Sequence, residues 1–345
     1  MAPQRPRTGP PEPVVKLQFP FIQLPLRFDA AALAAEVAAI DEACWLPHPQ
    51  QFEGNSMLPL VAVDGEPANE SFAGPMRPTP HLLACPYLMQ VVASLGVTAG
   101  RSRLMRLSGH AEVTRHVDQG YYWAERVRVH VPIVTQPTVR FECGGATVNM
   151  AAGECWIFDT WRLHNVVNDA VQSRIHLVVD TVGGDGFWDL VAEGRPFPAQ
   201  AGAEGWQPRL VAPRAGPAPT LACEAVNVPA VMSPWELNAQ FAMIFADAVP
   251  HPQLARVQEL AGRLVRSWRS LWAQYGDAPQ GRPRFRALVE RFLADTDLPG
   301  PPLMLRNAVQ LHGVLILRIG QAAVADDDGA VAMPAASADA VADRG

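Results

Sequence analysis

The stretch Arg126-Val127-Arg128-Val129-His130-Val131 alternates three polar with three apolar side chains. Alternation with a period of two is typical of a β-strand, whose successive side chains point to opposite faces of a sheet. Similar runs lie on both sides of it, which is typical of an antiparallel sandwich or barrel such as a jelly roll. The strand-like runs cover residues 103–107, 111–117, 126–134, 138–143, 146–150, 154–159 and 173–181.

The segments before this β region predict two helices and a strand. Asp29 is a suitable N-cap for a helix over residues 30–43, whose apolar side chains recur at helical spacing. A second, short helix is expected over residues 86–95. Between the two helices, residues 58–63 favour a strand that ends in the turn Asp64-Gly65.

Beyond residue 190 the pattern changes twice. Residues 191–230 are rich in Pro, Gly and Ala without periodicity, and they predict a linker or an extended wrap. Ser233-Pro234-Trp235-Glu236 is a strong helix start, and three apolar stripes at helical spacing follow it. The predicted organisation is a disordered arm at 1–15, a β domain at 16–190, the linker at 191–230, a helical domain at 231–320 and a disordered tail at 321–345.

Charge and composition exclude several classes of protein. The 28 basic and 34 acidic side chains give a net charge of −6, so no basic surface for nucleic acid is expected. No apolar run approaches the roughly 20 residues of a membrane span, so no membrane partner is expected. The sole lysine, Lys16, argues against Schiff-base and P-loop mechanisms. Five cysteines without a CxxC pair, and no secretory signal, favour a cytoplasmic protein with reduced thiols.

His116, Asp118 and His164 are the candidate metal ligands. In an extended segment His116 and Asp118 point to the same face, and His164 follows later in the β region. Two imidazoles and one carboxylate on one face of a metal suit non-haem Fe(II) and leave three coordination positions open. An HxD tripeptide alone is a weak signal, so the neighbouring strands carry much of the argument.

Cationic side chains lie on two of these neighbouring strands. Arg128 and His130 share one strand face, and Arg174 lies on a later strand. Charged groups that face the interior of a barrel are costly unless they meet an anion. A small dicarboxylate that chelates iron at one end needs a guanidinium at the other, and 2-oxoglutarate fits that description. The alternative is a solvent-facing strand with no ligand, which is preferred for Arg126.

Residues 103–180 resemble the aspartyl/asparaginyl β-hydroxylase family of Fe(II)/2-oxoglutarate dioxygenases. The resemblance rests on RLMRLSGHAEVTRHVD (103–118), RVRVHVPI (126–133) and GECWIFDTWRLHNVVNDAVQSRIHLVVD (153–180). It implies a mainly β fold with α-helices. The core would be a double-stranded β-helix of the jelly-roll or cupin type, with flanking N-terminal helices and a helical C-terminal region.

The resemblance also implies roles for six residues. Fe(II) would be bound by His116, Asp118 and His164, and Arg174 would bind the distal carboxylate of 2-oxoglutarate. Arg128 and His130 would assist on the co-substrate. Animal members of the family replace the acidic ligand by a small residue. Asp118 is present here, so the substrates of the animal enzymes are a weaker guide to the substrate of this protein.

The activity implied by the resemblance is hydroxylation of an Asp, Asn or Pro unit, free or within a peptide. Dioxygen would be the oxidant, 2-oxoglutarate would be decarboxylated to succinate, and ascorbate would be a supporting reductant. Two alternatives stay open: oxidation of a specialised metabolite or modified peptide, and a non-catalytic cupin-like protein that binds a metal and a small acid. The apolar helical stripes also offer a surface for a homodimer.

Overall fold

The computed structural model describes residues 17–49, 52–198 and 205–325. The strands in these ranges are β1 (Phe21–Phe28), β2 (Leu46–Pro47), β3 (Asn55–Val63), β4 (Met76–Pro78), β5 (Ala99–Leu107), β6 (Glu112–His116), β7 (Val127–Val134), β8 (Val139–Cys143), β9 (Ala146–Val148), β10 (Glu154–Phe158), β11 (His164–Asn168), β12 (Arg174–Thr181), β13 (Arg195–Phe197) and β14 (Arg209–Val211). The α-helices are α1 (Ala30–Ala38), α2 (Pro80–Leu83), α3 (Pro86–Ser94), α4 (Asp185–Ala192), α5 (Pro234–Ala246), α6 (Leu254–Tyr275), α7 (Arg282–Thr296) and α8 (Leu311–Leu315). Short 3-10 turns lie at Glu42–Cys44, Tyr121–Trp123 and Pro279–Gly281, and a π-helical turn at Ile316–Gly320 follows α8.

The strands form two sheets. The large sheet has the order β13-β1-β10-β7-β12-β5-β3-β2, with β14 beside β1 and β4 beside β3. The small sheet has the order β6-β11-β8-β9. Neighbouring strands are antiparallel except for β14, which runs parallel to β1. Within the described ranges no ladder joins the two sheets, so they form an open sandwich and not a closed barrel.

Aromatic side chains fill the space between the two sheets. Phe21 and Phe158 of the large sheet contact Phe141 of the small one, with ring centroids 5.7 and 4.8 Å apart. The other face of the large sheet is covered by α1 and α3. The alternation in β7 therefore has a direct structural cause. Its valines pack under the helices, and its polar side chains face the small sheet.

The C-terminal helices build a second core, which reaches the β region at two residues. Side chains from α5, α6, α7 and α8 pack around Trp268 and Phe285, whose ring centroids are 4.5 Å apart. Val117 and Trp161 belong to the same cluster although they lie in loops of the small sheet. The helical region thus packs against the loops that immediately adjoin Asp118 and His164.

The predicted fold class is confirmed: a mainly β protein with α-helices and two facing sheets of the double-stranded β-helix type. Each predicted strand-like run contains an observed strand, and Ser233 caps α5 by accepting a hydrogen bond from the Glu236 amide. Asp29 caps α1 as expected, but that helix ends at Ala38 and not near residue 43. The chain turns there because Asp41 caps a separate 3-10 turn.

Two strands were not predicted from the period-two pattern: β1, which is long, and β11, which carries His164. β1 has one apolar face, formed by Ile22, Leu24, Leu26 and Phe28, whereas its other face mixes Phe21 and Pro25 with Gln23 and Arg27. β11 is short and has the sequence HNVVN, in which polar residues flank a single apolar pair. Strict polar–apolar alternation is therefore absent from both strands, because Phe21 and Pro25 interrupt it in β1 and the pair Val166-Val167 interrupts it in β11.

The segment at 191–230, predicted as a linker or wrap, contributes β13 and β14, which pair with β1 at the edge of the large sheet. Three-residue strands are too short to show a period. The predicted disordered tail begins too early. Residues 321–325 pack into the C-terminal core, where small alanines fit against the helices. The arm at 1–15 and the rest of the tail lie outside the described residues.

Among the described residues, no helix combines the length and apolar character needed to cross a membrane.

Candidate active site

The small sheet brings the three candidate metal ligands together. His116 is the last residue of β6, and His164, the first residue of β11, is its direct cross-strand partner. Their ring centroids are 4.2 Å apart. Asp118 follows two residues later, where its amide donates to the Thr160 carbonyl. One potential ligand atom from each side chain lies within 4.8 Å of the other two.

Backbone carbonyls orient both imidazoles. Nδ1 of His116 lies 2.7 Å from the Thr114 carbonyl oxygen, and Nδ1 of His164 lies 2.9 Å from the Arg162 carbonyl oxygen. A carbonyl oxygen only accepts, so each Nδ1 carries the proton and each Nε2 presents a lone pair. This is the usual second contact of a metal-binding histidine, and it fixes the ring before any metal arrives.

The protonation state of His164 also suits metal binding. Burial lowers the pKa of His164 to about 3, and the neighbouring His116 contributes to the same shift. The imidazole is therefore neutral at physiological pH, as a metal ligand must be. Two imidazole nitrogens and one carboxylate form the donor set of a non-haem Fe(II) site, so the residues present fit that ion.

Arg128 connects the candidate ligand Asp118 to a second carboxylate. Its Nη1 lies 3.0 Å from Asp118 Oδ2, and its Nε donates to Asp180 Oδ1 at 2.8 Å. All three side chains are largely buried. The two carboxylates raise the pKa of Arg128 despite its burial, so it stays a cation. Arg128 thus fixes the position of Asp118 through Oδ2, whereas Nε2 of His116 lies 4.0 Å from Oδ1.

Arg174 is a buried cation without a counter-ion. The residue is 4% exposed, and no carboxylate of the described ranges lies within ion-pair distance of it. Its Nη2 contacts Nδ1 of His176 at 3.2 Å, whereas its Nε has no hydrogen-bond partner. Burial lowers the pKa of Arg174 to about 9. A buried, uncompensated guanidinium is unfavourable on its own and suits a site for an anion.

His130 lines the same pocket as Arg174 and the candidate metal ligands. Its Nδ1 is 3.3 Å from Nδ1 of His176, and burial lowers its pKa well below the ordinary value. Its Nε2 has no hydrogen-bond partner within the described part of the chain. Arg174 can only donate, so Nδ1 of His176 is an acceptor. The contact between the two histidines therefore requires Nδ1 of His130 to donate, which fixes the orientation of the His130 ring.

All six predicted site residues line one pocket between the sheets. Arg126, which was expected to face solvent, is buried and forms an ion pair with Glu224, at 2.8 and 2.9 Å. Two further charged residues that line this pocket were missed, Arg101 and Arg103, and so was Asp180, which lies against Arg128 and Arg103. The alternation Arg101-Ser102-Arg103 in β5 was the available signal, since the two arginines share a strand face.

The two facing sheets and the ligand cluster between them define a double-stranded β-helix protein with a candidate mononuclear metal site. Residues 72–183 match the family model described as Aspartyl/Asparaginyl beta-hydroxylase. This match confirms the resemblance drawn from residues 103–180. The chain is also 28% identical over 125 residues to L-proline cis-3-hydroxylase 1 of Streptomyces sp.. The aligned part is 33% of this chain and 41% of that protein, so it spans less than half of the relative's length.

Solved structures give weaker matches. A prolyl-4-hydroxylase from Pseudomonas putida has 16% identity and a TM-score of 0.33, over 48% of this chain and 93% of that one. A prolyl hydroxylase from Trichoplax adhaerens has 12% identity and a TM-score of 0.35, over 50% of this chain and 87% of that one. The likeness to these two proteins extends no further than the general arrangement of strands.

Proposed function

We propose that this protein is an Fe(II)/2-oxoglutarate-dependent hydroxylase that acts on an Asp, Asn or Pro unit, free or within a peptide. One observation carries the proposal. A single pocket holds the imidazole–imidazole–carboxylate cluster together with Arg174, which has no carboxylate partner among the described residues. A purely structural role explains neither feature, because a buried uncompensated charge destabilises a fold unless something binds to it.

The residues divide into two groups according to what they would hold. His116, Asp118 and His164 would bind iron through two Nε2 atoms and a carboxylate oxygen. When bound, iron(II) with 2-oxoglutarate and O2 supplies the oxidant that converts a substrate C–H into C–OH, with succinate and CO2 as co-products. Ascorbate would serve as a supporting reductant.

Arg174 would bind the distal carboxylate of 2-oxoglutarate. Its guanidinium is planar and forked, which suits two parallel hydrogen bonds to a carboxylate. His176 orients this fork by accepting from Nη2, and His130 lines the pocket beside it. Because the site is buried, the ion pair would form in a medium that screens it weakly.

We assign Arg128 a positioning role. Both of its short contacts go to carboxylates of the chain, at 3.0 Å to Asp118 and 2.8 Å to Asp180. Its effect on the co-substrate would therefore be exerted through the ligand Asp118. Aromatic side chains, among them Trp123 and Phe158, line the same pocket and help to exclude water from it.

Turnover tests the proposal. Purified protein is supplied with Fe(II), ascorbate, O2 and 2-oxoglutarate, with L-proline, L-aspartate, L-asparagine or peptides that contain them. We expect succinate release and a one-oxygen mass gain in one of these compounds, both abolished in His164→Ala. Arg106→Gln is the matched control, because Arg106 pairs with exposed Glu42 outside the pocket. Absence of metal-dependent succinate from every mixture, or unchanged turnover in His164→Ala, would contradict the proposal.

A cytoplasmic location and a homodimer stay predictions from the sequence. Size-exclusion chromatography with light scattering tests the second of them directly.

A further inference from the structure

A second cationic group lies in the pocket, apart from Arg174. Arg101 and Arg103 are two residues apart on β5, so they share the strand face that lines the pocket. Their residues are 4% and 7% exposed, which is unusually low for arginines. Neither residue belongs to the metal cluster or contacts Arg174 through any described hydrogen bond.

The contacts of these two arginines leave most of their charge uncompensated. Nη1 of Arg101 donates to the backbone carbonyl of Glu70, and its guanidinium lies 4.7 Å from the ring centroid of Phe72. No carboxylate within the described ranges lies within 4 Å of it. Arg103 reaches Asp180 only at 3.9 Å, and its Nε has no hydrogen-bond partner. Burial lowers the pKa of Arg103 to about 9, with Arg101 contributing.

The charges at the pocket do not balance. Asp180 is already held by Arg128 at 2.8 Å, and the nearby buried Glu224 is neutralised by Arg126. Iron(II) and the 2-oxoglutarate dianion carry equal and opposite charges, so binding both would leave the imbalance unchanged. Four guanidinium groups line the pocket, those of Arg101, Arg103, Arg128 and Arg174. Two carboxylates contact them, Asp118 in the lining and Asp180 beside it, so an excess of two positive charges remains.

The strand register separates this pair from the proposed co-substrate site. Arg174 lies opposite Leu107 on β5, whereas Arg103 lies opposite Val178 on β12. Four residues along a strand correspond to about 13 Å between Cα atoms. A chain of five carbons with bonds of about 1.5 Å is only about 6 Å long. Measured between Cα atoms, the strand rows of Arg101 and Arg103 therefore lie farther from the row of Arg174 than one 2-oxoglutarate molecule is long.

We infer that Arg101 and Arg103 bind an ionised carboxylate of the substrate that is hydroxylated. This inference rests on the proposed function and narrows it. The substrate would be a free amino acid, another small acid or an Asp unit with its side-chain carboxylate, and not an interior Pro or Asn unit of a peptide. An interior Pro or Asn unit has no carboxylate, so it would leave both guanidinium groups buried and unpaired.

Binding to the loaded protein tests the inference. Protein with Fe(II) and saturating 2-oxoglutarate is held without oxygen and titrated calorimetrically with L-proline, L-asparagine and L-aspartate. L-Prolinamide and L-asparagine amide are the matched ligands without an ionised carboxylate. We expect at least one acid to bind and its amide to bind more weakly by about tenfold or more, as for the loss of a charge-assisted hydrogen bond.

Variants identify the residues responsible. Arg101→Gln and Arg103→Gln should each weaken binding of that acid by about tenfold or more. Arg103→Lys, which keeps the charge, should weaken it less. Arg106→Gln on the outer face of the same strand is the control and should bind the acid like the wild type. Circular dichroism and the affinity for 2-oxoglutarate show whether each variant is folded.

Three results would overturn the inference: equal binding of acid and amide, binding of none of the three acids, or retained acid binding in both glutamine variants. A larger loss of 2-oxoglutarate than of acid binding in these variants would also overturn it, by placing the pair in the co-substrate site. Failure of the proposed function is recognised separately. In that case the wild type binds no 2-oxoglutarate before any acid is added. This result would contradict the proposed function and, with it, the inference about Arg101 and Arg103.

Discussion

Arg128 joins the candidate metal ligand Asp118 to the protein core: its Nη1 lies 3.0 Å from Asp118 Oδ2, and its Nε holds the buried carboxylate of Asp180. The ligand carboxylate is thus fixed before metal binding. Partners of this kind orient the ligand and tune its basicity. The consequence is that the metal site depends on a residue that does not itself bind the metal.

Arg128→Gln should lower the affinity for Fe(II) by about 10- to 100-fold, because Asp118 loses its orienting partner. The single variant also leaves Asp180 buried without its close cation, so stability should fall. The double variant Arg128→Gln/Asp180→Asn should recover stability but not metal affinity. Anaerobic metal titration and urea unfolding of the three proteins check this. Full recovery of metal affinity in the double variant would show that Arg128 acts only through stability.

Arg174→Met should separate stability from binding. Without ligand, replacing a buried unpaired guanidinium by an apolar side chain should raise the free energy of unfolding by about 1–3 kcal/mol. The stabilisation that 2-oxoglutarate gives the wild type, about 2.7 kcal/mol at 100 times Kd, should disappear. Thermal unfolding with and without 2-oxoglutarate measures both effects. A variant that is less stable than the wild type yet still stabilised by 2-oxoglutarate would refute the role of Arg174.

Arg174→Lys is a milder change that tests geometry instead of charge. A lysine keeps the positive charge but replaces a forked donor by a point charge. The affinity for 2-oxoglutarate should fall sharply, and an unchanged affinity would mean that bidentate binding is absent.

The helical C-terminal region should support the metal site through Arg318. The Nε of Arg318 donates to the carbonyl of Gln119, next to Asp118, and its guanidinium lies 4.2 Å from the ring centroid of Trp161. Arg318→Met keeps the apolar stem but removes that hydrogen bond. We expect metal affinity to fall by about tenfold, the lower end of the range for outer-shell partners.

Arg263→Met, an exposed change on α6, is the control for this comparison. Thermal unfolding is measured in parallel with the metal titration. If Arg318→Met lowers the melting temperature but leaves metal affinity intact, the contact between the helical region and the Asp118 loop is structural only.

Acid should destabilise the metal-free protein through its buried histidines. Burial lowers the pKa of both His130 and His176 well below 6.5, and nearby Arg174 adds to both shifts. The unfolded chain takes up protons on these residues near pH 6.5, whereas the folded chain does not. Stability from this pair is therefore present above pH 6.5 and is lost as the pH falls below it.

Each such histidine should contribute a slope of about 1.4 kcal/mol per pH unit below pH 6. Urea unfolding at pH 7.5, 6.5 and 5.5 measures the slope. His176→Phe should reduce the slope by the contribution of one proton, about 1.4 kcal/mol per pH unit. His110→Asn, at an exposed position, should leave the slope unchanged. Equal slopes in His176→Phe and the wild type would contradict buried neutral histidines.

Local patterns predicted much of the fold and the site. The period of two located β7 and the face of Arg128 and His130, because one face of that strand packs under helices. His116 and His164 could be paired on residue chemistry and on the family resemblance. The structure adds their direct cross-strand register.

Long-range arrangements were beyond those patterns. In β1, Phe21 and Pro25 share a strand face with Gln23 and Arg27, so the alternation is broken. The contact of Arg318 with Gln119 joins residues that no local period relates. The partners of a buried arginine are also invisible in sequence. Arg126 and Arg128 look equivalent in the alternating strand, yet one pairs with Glu224 and the other with Asp118 and Asp180.

The most direct test of the central claim is anaerobic calorimetry of 2-oxoglutarate binding, with and without Fe(II). We predict one equivalent bound per chain when Fe(II) is present, binding weakened by His164→Ala, and binding lost in Arg174→Met. Binding that is equally tight without metal in the wild type, or retained in Arg174→Met, would contradict a pocket built from the histidine–aspartate cluster and Arg174.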